Sequence, residues 1–270
     1  MLWSLRQYLI VIMTIIIVFN WNICNRFRIF VMQDRPQLMK YPNTFTDDII
    51  ETLSIDCVIF GFKDARLNIL LVQHAEGISK GRWGLPGGFI RKNESLDEAA
   101  NRLLRDLTGL KNVFLEQLRT FGDTTRYPKK RVITIAYYAL IKEEDYEIAP
   151  GFTASDARWF DIDDIPDLIY DHNEILNYSY EHLQHRVKHE PIGFNLLPRK
   201  FTLLQLQELY EAVLKTTLDK PNFRRKMLKM NLLVDCKEKQ QNVSHRAANL
   251  YRFDENVYEK LKKSGFVFEV

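Results

Sequence analysis

Residue types that could form a metal–phosphate site occur between positions 87 and 110, in the stretch GGFIRKNESLDEAANRLLRDLTGL. A glycine turn followed by a helix with carboxylates along one face can hold a divalent cation against a diphosphate, because hard cations need several oxygen ligands. In this stretch leucines appear where a run of acidic residues would be expected on such a helix. The stretch indicates a catalytic scaffold whose ligands are mostly replaced.

The helix that carries these positions has clear start and stop signals. Ser95 is a plausible N-cap, Glu98 three residues later completes a capping box, and Gly109 follows the last turn. Apolar residues recur at helical spacing at 96, 99, 100, 103, 104 and 107. We therefore expect one amphipathic helix behind a glycine-rich loop, GISKGRWGLPGG, at residues 77–88.

The elements around this helix predict a mixed α/β domain. Residues 54–62 and 67–74 are β-rich runs joined by the turn KDAR, which is a hairpin signal. The sequence predicts further strands in 113–123, 131–141 and 156–166 and a helix over 173–188. Their order favours a sheet covered by helices on both faces.

The spacing of Gly88, Glu94, Arg102 and Gly109 resembles the Nudix box, G-x5-E-x7-R-E-U-x-E-E-x-G-U, with aliphatic residues at 104 and 110. The resemblance implies a Nudix-type α/β/α sandwich with a mixed sheet. It also implies that the glutamates after the arginine should hold Mg²⁺, and these are replaced by Leu103, Asp106 and Leu107. We expect no catalytic residues, no bound metal, no cofactor and no enzyme activity; a structural relic and a hydrolase with residual activity are the alternatives.

The chain after position 190 has a different character. Residues 190–200 contain two prolines without periodicity and are expected to form a linker. An amphipathic helix over 202–214 is followed by a turn, with Asp219 or Lys220 at the cap and Pro221 in the first turn of a basic helix over 222–230. Residues 232–253 alternate as strand, polar tip and strand. Helix, turn, basic helix and hairpin is the order of a winged helix-turn-helix.

Charge supports nucleic-acid binding by this segment. The whole chain has a net charge of +3, but residues 220–252 hold nine Lys or Arg against two acids. A local basic patch on an otherwise acidic protein is the electrostatic signature of an anion or DNA site. The residues expected to contact DNA are Lys220, Asn222, Arg224, Arg225, Lys226 and Lys229 on the helix, and Lys237, Lys239, His245 and Arg246 at the wing. Phe223, Met227 and Leu228 are expected in the core of the small domain.

A Nudix domain followed by a basic winged helix resembles the Nudix-related transcriptional regulators. Stretches such as EPIGFNLLPRKFTLLQLQELYEAV look most like the arabinose-responsive branch. The resemblance implies a ligand-sensing domain over 46–190, a DNA-binding domain over 191–270, operator DNA as partner and a homodimer. The expected effector is a sugar or nucleotide-sugar, first a pentose such as L-arabinose; ADP-ribose, sensed by the branch that regulates NAD metabolism, is the alternative.

The effector pocket is expected on the sheet beside the glycine-rich loop. Side chains there that could stack on a sugar or bind its hydroxyl groups, together with the box glycine, are Trp83, Gly88, Asp123, Arg126, Arg131 and Tyr137. Asp171 and His172 are interpreted as a turn and helix cap, and no role is assigned to Glu76 or Lys80.

The cysteine content and the N-terminal segment indicate the cellular compartment in which the protein is expected. Three dispersed cysteines support neither a disulfide framework nor a metal site, so a reducing, cytoplasmic setting is expected. Residues 8–21 are strongly apolar but shorter than the 18 or so residues that a spanning helix needs. Residues 1–45 are therefore interpreted as an over-extended start, with a short anchor as the alternative, and no stable membrane partner is expected.

Overall fold

The computed structural model describes residues 49–151, 153–241 and 246–270, all within one compact unit that spans 47–270. The apolar segment at 8–21 and His245 lie outside the described residues. None of the helices described is long and apolar enough to cross a membrane.

The chain enters the sheet through a β-hairpin, as predicted. Strand β1 (Ile49–Lys63) and strand β2 (Arg66–His74) are antiparallel and are joined by Asp64 and Ala65. Both turn residues have positive φ, 50° and 59°. A two-residue turn of this kind matches the right-handed twist of the flanking strands.

Five more strands complete a mixed sheet. They are β3 (Trp83–Gly84), β4 (Gly87–Arg91), β5 (Glu116–Phe121), β6 (Ile133–Ile141) and β7 (Ala154–Asp161). The main order is β3-β2-β1-β6-β5, with β4 on β1 and β7 on β2; β1 and β6 are parallel and the other pairs are antiparallel.

Two helices cover opposite faces of this sheet. Helix α1 (Leu96–Thr108) has the predicted capping box at Ser95 and ends at Gly109, whose φ is 77°. Helix α2 (His172–His189) covers the other face. Alternate residues of β1 divide between them: Ile55 belongs to the core under α1, and Val58 to the core under α2. The predicted α/β/α sandwich is confirmed.

The C-terminal half has the predicted winged-helix order. Helix α3 (Leu203–Leu214), helix α4 (Lys220–Lys229), strand β8 (Leu233–Lys239) and strand β9 (Asn249–Phe253) follow one another. The Asp219 carboxylate caps α4 by accepting from the Asn222 N–H, and Pro221 lies in the first turn. The chain then adds helix α5 (Glu255–Lys263), which the sequence analysis did not predict.

The segment 190–200 is not the linker that its prolines suggested. Pro191–Leu196 forms a 3-10 helix, and Phe194, Leu196 and Leu197 are buried. Their side chains join the hydrophobic core that α2 and α3 share. Apolar burial, which the lack of periodicity concealed, makes this segment part of the packed structure.

Candidate functional site

A cavity of about 240 Å³ opens beside the glycine-rich loop and the first turn of α2. Strand β1 contributes Ser54 and Asp56 to it, and the parallel strand β6 brings Thr134 beside Asp56. The remaining lining comes from the end of β2 and the loop after it, from Leu85 and strand β4, from the loop before β6, and from the first residue of α2 and the residues just before it. The cavity is therefore assembled from segments far apart in the chain.

A buried network of charges forms one wall. The Arg126 guanidinium donates to both carboxylate oxygens of Asp171, at 2.7 and 2.8 Å, and to Asp56 Oδ2 at 3.3 Å. The Thr134 hydroxyl donates to the same Asp56 oxygen at 2.7 Å. One buried cation thus serves two carboxylates, which leaves the wall with a net negative charge.

His172 lies on the other side of Asp56, next to its Oδ1 atom. Its Nδ1 atom accepts from the Leu85 N–H at 2.9 Å, so in the neutral ring the proton is on Nε2. Nε2 lies 3.5 Å from Asp56 Oδ1. Burial lowers the pKa of His172, more than the carboxylates of Asp56 and Asp171 raise it, so the ring is neutral at pH 7.

The interpretation of Asp171 and His172 as a cap needs correction. Asp171 does occupy the N-cap position of α2, but its carboxylate makes no capping hydrogen bond. It is engaged by Arg126 instead, because a buried guanidinium needs a charged partner. The His172 ring likewise faces the cavity and not the helix end.

Aromatic and polar side chains border the cavity on the side of the β2 loop. The rings of Tyr127 and Tyr170 lie 4.8 Å apart, and the Tyr170 hydroxyl is 2.8 Å from Ser79 Oγ. His74 also lines the cavity, and within the described structure its Nε2 is buried without a hydrogen-bond partner. Burial lowers the pKa of His74 as well.

The Nudix-like box forms a rigid support below the cavity. Arg102 Nε donates to Glu94 Oε2 at 2.7 Å, and its NH2 group donates to the Phe89 carbonyl at 3.1 Å. The Arg91 N–H donates to Glu94 at 2.7 Å, which ties the loop to α1. These bonds explain why Glu94 and Arg102 are present although the metal ligands of the box are not.

Leucine takes the place of the box carboxylates. Leu103 is buried against Gly88, and Leu107 is buried in a small cluster with Ala154 and Ala157. Asp106 is half-exposed and pairs with its neighbour Arg105. In the part of the chain that the structure describes, no group of three or more His, Cys, Asp or Glu side chains is arranged to hold a metal ion.

The six predicted ligand residues do not form one cluster. Gly88 and Arg126 line the cavity. Asp123 is exposed in the loop after β5, where it accepts from the Thr125 N–H and hydroxyl, and Arg131 is exposed before β6. Neither belongs to the cavity lining.

Trp83 and Tyr137 also lie elsewhere, for identifiable reasons. The Trp83 ring packs edge-on against Phe160 and beneath the Arg158 guanidinium. Neighbouring residues of a strand point to opposite faces of the sheet, and the side chain of Tyr137 points to the α1 face. Its hydroxyl donates to Asp97 there, at 2.7 Å. Tyr137 does not line this cavity.

Sequence reasoning missed the cavity-lining residues Asp56, Ser54, His74 and Tyr170. The usable signal was Asp56, an acid within the otherwise apolar run SIDCVIFGF. Acidic residues are almost never fully buried without a partner, so an acid in a core strand points to a functional network.

The second candidate surface is the basic helix α4. Phe223 and Met227 are buried, as predicted, but Leu228 is exposed. The exposed polar and basic residues of the helix are Lys220, Asn222, Arg225, Lys226 and Lys229, and Arg224 is half-buried. Lys237, Lys239 and Arg246 are exposed on the hairpin, and Lys237 pairs with Asp235.

Helix α2 joins the cavity to the winged helix. Further along α2, the Tyr180 hydroxyl and the Gln184 amide both donate to the Val213 carbonyl, at 2.8 and 2.9 Å. Val213 lies in the last turn of α3, just before the turn that leads to α4. Lys215 in that turn forms an ion pair with Asp163. The helix that starts at the cavity therefore contacts the helix-turn-helix directly.

Comparisons with known proteins agree with this architecture. A NUDIX domain model matches residues 51–183, and a model of the NrtR DNA-binding winged helix domain matches residues 193–253. The chain is 30% identical to the ADPR responsive transcriptional repressor NtrR of Acinetobacter baylyi over 205 residues, which are 74% of this chain and 81% of that protein. It is also 30% identical to an ADP-ribose pyrophosphatase of Methanocaldococcus jannaschii over 52% of this chain and 74% of that protein.

A solved structure shares both domains. The crystal structure of Shewanella oneidensis NrtR complexed with a 27mer DNA is similar with a TM-score of 0.66 and 29% identity, over 80% of this chain and 97% of that one. A Nudix fold joined to a winged helix defines the Nudix-related transcriptional regulators, in which a ligand-binding domain is coupled to a DNA-binding one. Within that class, the chain belongs to the NrtR-type family.

Proposed function

We propose that this regulator binds operator DNA through α4 and the β8–β9 hairpin, and that its cavity binds a small, uncharged, hydroxyl-rich effector, a pentose such as L-arabinose. The observation that carries the choice of effector is the buried network of Asp56, Arg126, Asp171 and His172. It offers a carboxylate and a neutral imidazole to a ligand, and its guanidinium is already paired.

Charge supports a neutral ligand over a diphosphate. Among the described residues that line the cavity, Arg126 is the one cation, and it is shared by two carboxylates. A diphosphate would meet Asp56 and Glu76 there, and Leu103 stands where a box glutamate would bring Mg²⁺. Like charges in a buried site repel strongly, whereas hydroxyl groups hydrogen-bond to carboxylates without that penalty.

Size supports the same choice. Pockets for drug-sized ligands span about 300–1,000 Å³. The cavity, with a volume of about 240 Å³, lies below that range. A monosaccharide suits it better than a dinucleotide-like molecule.

ADP-ribose is the second candidate, and the comparisons favour it over a sugar. The relative from Acinetobacter baylyi is named for its response to ADPR, and the relative from Methanocaldococcus jannaschii is an ADP-ribose pyrophosphatase. Binding of ADP-ribose would require the phosphates to lie outside the acidic wall. We propose that this chain does not hydrolyse ADP-ribose, because two box carboxylates are leucines.

Helix α2 would transmit the effect of effector binding from the cavity to the winged helix. An effector that contacts Asp56 and Arg126 changes the surroundings of Asp171 at the start of the helix, and Tyr180 and Gln184 of the same helix hold the end of α3. Differential binding to two orientations of the winged helix is the physical requirement for such a switch. We further propose a homodimer, since a winged helix that reads a pseudopalindrome needs two copies.

A ligand-binding experiment separates the two effectors. Thermal unfolding and calorimetry of the full chain would be measured with L-arabinose, D-xylose, D-ribose and ADP-ribose, each with and without Mg²⁺. We expect stabilisation by a pentose that is independent of Mg²⁺. Stabilisation by ADP-ribose alone would replace the sugar by the second candidate, and release of phosphate-containing products would reinstate a hydrolase.

A further inference from the structure

Asp56 and His172 each have one polar atom at the cavity that makes no hydrogen bond with the described residues: an acceptor on Asp56 and a donor on His172. Both side chains are almost completely buried and both line the cavity. Asp56 Oδ2 accepts from Thr134 and Arg126, whereas Oδ1 accepts no hydrogen bond from the described residues. His172 Nδ1 accepts from the Leu85 N–H, so Nε2 keeps its proton, and Nε2 lies 3.5 Å from Asp56 Oδ1.

The separation of these two atoms is too long for a good bond between them. Nε2 and Oδ1 are 3.5 Å apart. N–H···O bonds in proteins span about 2.7–3.2 Å. A carboxylate oxygen and an N–H group that remain unmatched in a buried site are costly unless a further group satisfies them.

We infer that Asp56 Oδ1 and His172 Nε2 together bind one hydroxyl group of the effector. The hydroxyl oxygen accepts from the imidazole N–H while its hydrogen is donated to the carboxylate. A hydroxyl can do both because it has one O–H donor and two lone pairs. A phosphate oxygen at the same place accepts only, and it would face the carboxylate. The pair therefore selects hydroxyl-bearing ligands, and this inference rests on the proposed effector-sensing function.

The backbone opposite Asp56 supports this assignment. A Cβ built at Gly87 would lie 2.2 Å from Asp56 Oδ1 and 2.6 Å from the Ile55 carbonyl. Any side chain at position 87 would thus collide with the oxygen that is available to the ligand. Glycine is the residue that leaves this oxygen accessible from the cavity.

Two substitutions at position 172 distinguish the role of Nδ1, which accepts from Leu85, from the role of Nε2, which lies near Asp56. In His172→Asn the amide oxygen takes the place of Nδ1 and can still accept from Leu85, but nothing replaces the Nε2–H donor. In His172→Gln the amide nitrogen reaches the Nε2 position and the acceptor for Leu85 is lost. We expect H172N to weaken effector binding about tenfold to a hundredfold, since one hydrogen bond in a charged network is lost, and H172Q to bind more tightly than H172N although it unfolds at a lower temperature.

The matched control is His185→Asn, the same change at an exposed position of the same helix outside the cavity. Binding of L-arabinose and ADP-ribose would be measured by calorimetry on the full-length wild type and the three variants, with thermal unfolding as the test of folding. A second measurement needs no unstable variant: monodeoxy pentoses are compared on the wild type and on H172N. One deoxy sugar should lose affinity on the wild type and show little further loss on H172N.

The outcomes separate the two proposals. Equal affinity of folded H172N and wild type for whichever compound binds overturns the inference and leaves effector sensing intact. Binding of ADP-ribose without any pentose overturns the sugar effector, and the comparison of H172N with H185N on ADP-ribose then decides the inference. If wild type binds none of the compounds, both proposals are wrong.

Discussion

Leu103 Cδ2 fills the space where a side chain on Gly88 would lie: a Cβ built at Gly88 would be 2.8 Å from it. Leu103 stands at the position of a Nudix-box glutamate, and Gly88 lines the cavity. An aliphatic contact thus replaces the carboxylate that would face the glycine-rich loop. The box therefore keeps the hydrogen bonds that shape its loop, while leucines replace two of its carboxylates.

Truncation of Leu103 should destabilise the domain. Leu103→Ala removes a buried side chain between α1 and β4, and the expected loss in unfolding free energy is about 2–5 kcal/mol. Urea denaturation measures it. Leu96→Ala, at an exposed position of the same helix, is the matched control and should cost well under half as much. Similar losses at both positions would contradict the packing role of Leu103.

Removal of Arg126 should cost far more than removal of a surface arginine. Arg126→Met leaves the buried Asp56 and the partly exposed Asp171 without their cation, and breaking a buried pair costs about 3–5 kcal/mol. Arg66→Met breaks the exposed pair with Asp161, and about 1 kcal/mol or less is expected. Urea denaturation of both variants at pH 7 compares them, and an Arg126→Met protein as stable as Arg66→Met would show that the network is not needed for folding.

The Glu94–Arg102 pair predicts a specific pH dependence. Hydrogen bonds from Arg102 lower the pKa of Glu94 from 4.5 to about 2. Since the folded-state pKa lies below the unfolded value, the stabilisation is present above pH 4.5 and is lost as the pH falls towards 2. Glu94→Gln should therefore reduce the unfolding free energy at pH 7, by about 2 kcal/mol, and much less at pH 3. Glu181→Gln, an exposed carboxylate on α2, provides the control for denaturation at both pH values.

The two donors on α2 should carry the effector signal to DNA. The double variant Tyr180→Phe, Gln184→Met removes both hydrogen bonds to the Val213 carbonyl and keeps the size of the side chains. We expect effector affinity to stay within about twofold of wild type, because neither residue lines the cavity. The effector-induced change in DNA affinity, measured by fluorescence anisotropy, should fall at least threefold. Glu181→Gln again serves as control, and unchanged coupling in the double variant would rule out this route.

Arg225 should contribute to DNA binding through charge. It is exposed on α4, with a hydrogen bond to Asn222. Arg225→Ala should weaken binding to a duplex selected from a random pool by about tenfold and should lower the salt slope by about 1 if Arg225 contacts phosphate. Lys63→Ala removes a charge from the Nudix domain and should leave DNA affinity unchanged. Equal affinity of both variants would exclude α4 as the main DNA-contacting helix.

Local features of the fold were predictable from the sequence. The Ser95–Glu98 capping box, the Gly109 stop and the Asp219 cap all lie within a few residues of the element that they define, so their chemistry can be identified in the sequence alone. The continuous apolar run from Cys57 to Phe60 in β1 likewise indicates a strand that is buried on both faces.

The cavity was harder to predict because its parts meet only in the folded chain. Asp56 and Thr134 become neighbours through a parallel strand pair, and Arg126 and Asp171 are 45 residues apart. Tyr137 lies on the face opposite the cavity, because strand parity decides which face a residue occupies and one position in either direction reverses it. The segment 190–200 was misjudged as a linker because its prolines signal a break in periodicity and give no information about the burial of Phe194, Leu196 and Leu197.

Helix α2 contacts the cavity at one end and the helix-turn-helix further along, and this shared element has a thermodynamic consequence if the cavity binds the effector. If effector occupancy weakens DNA binding by some factor, bound DNA must weaken effector binding by the same factor. The regulator on its operator then responds at a higher effector concentration than the regulator free in solution. The concentration at which a gene responds would depend on how tightly its operator holds the protein, so one chain could set different thresholds at different promoters.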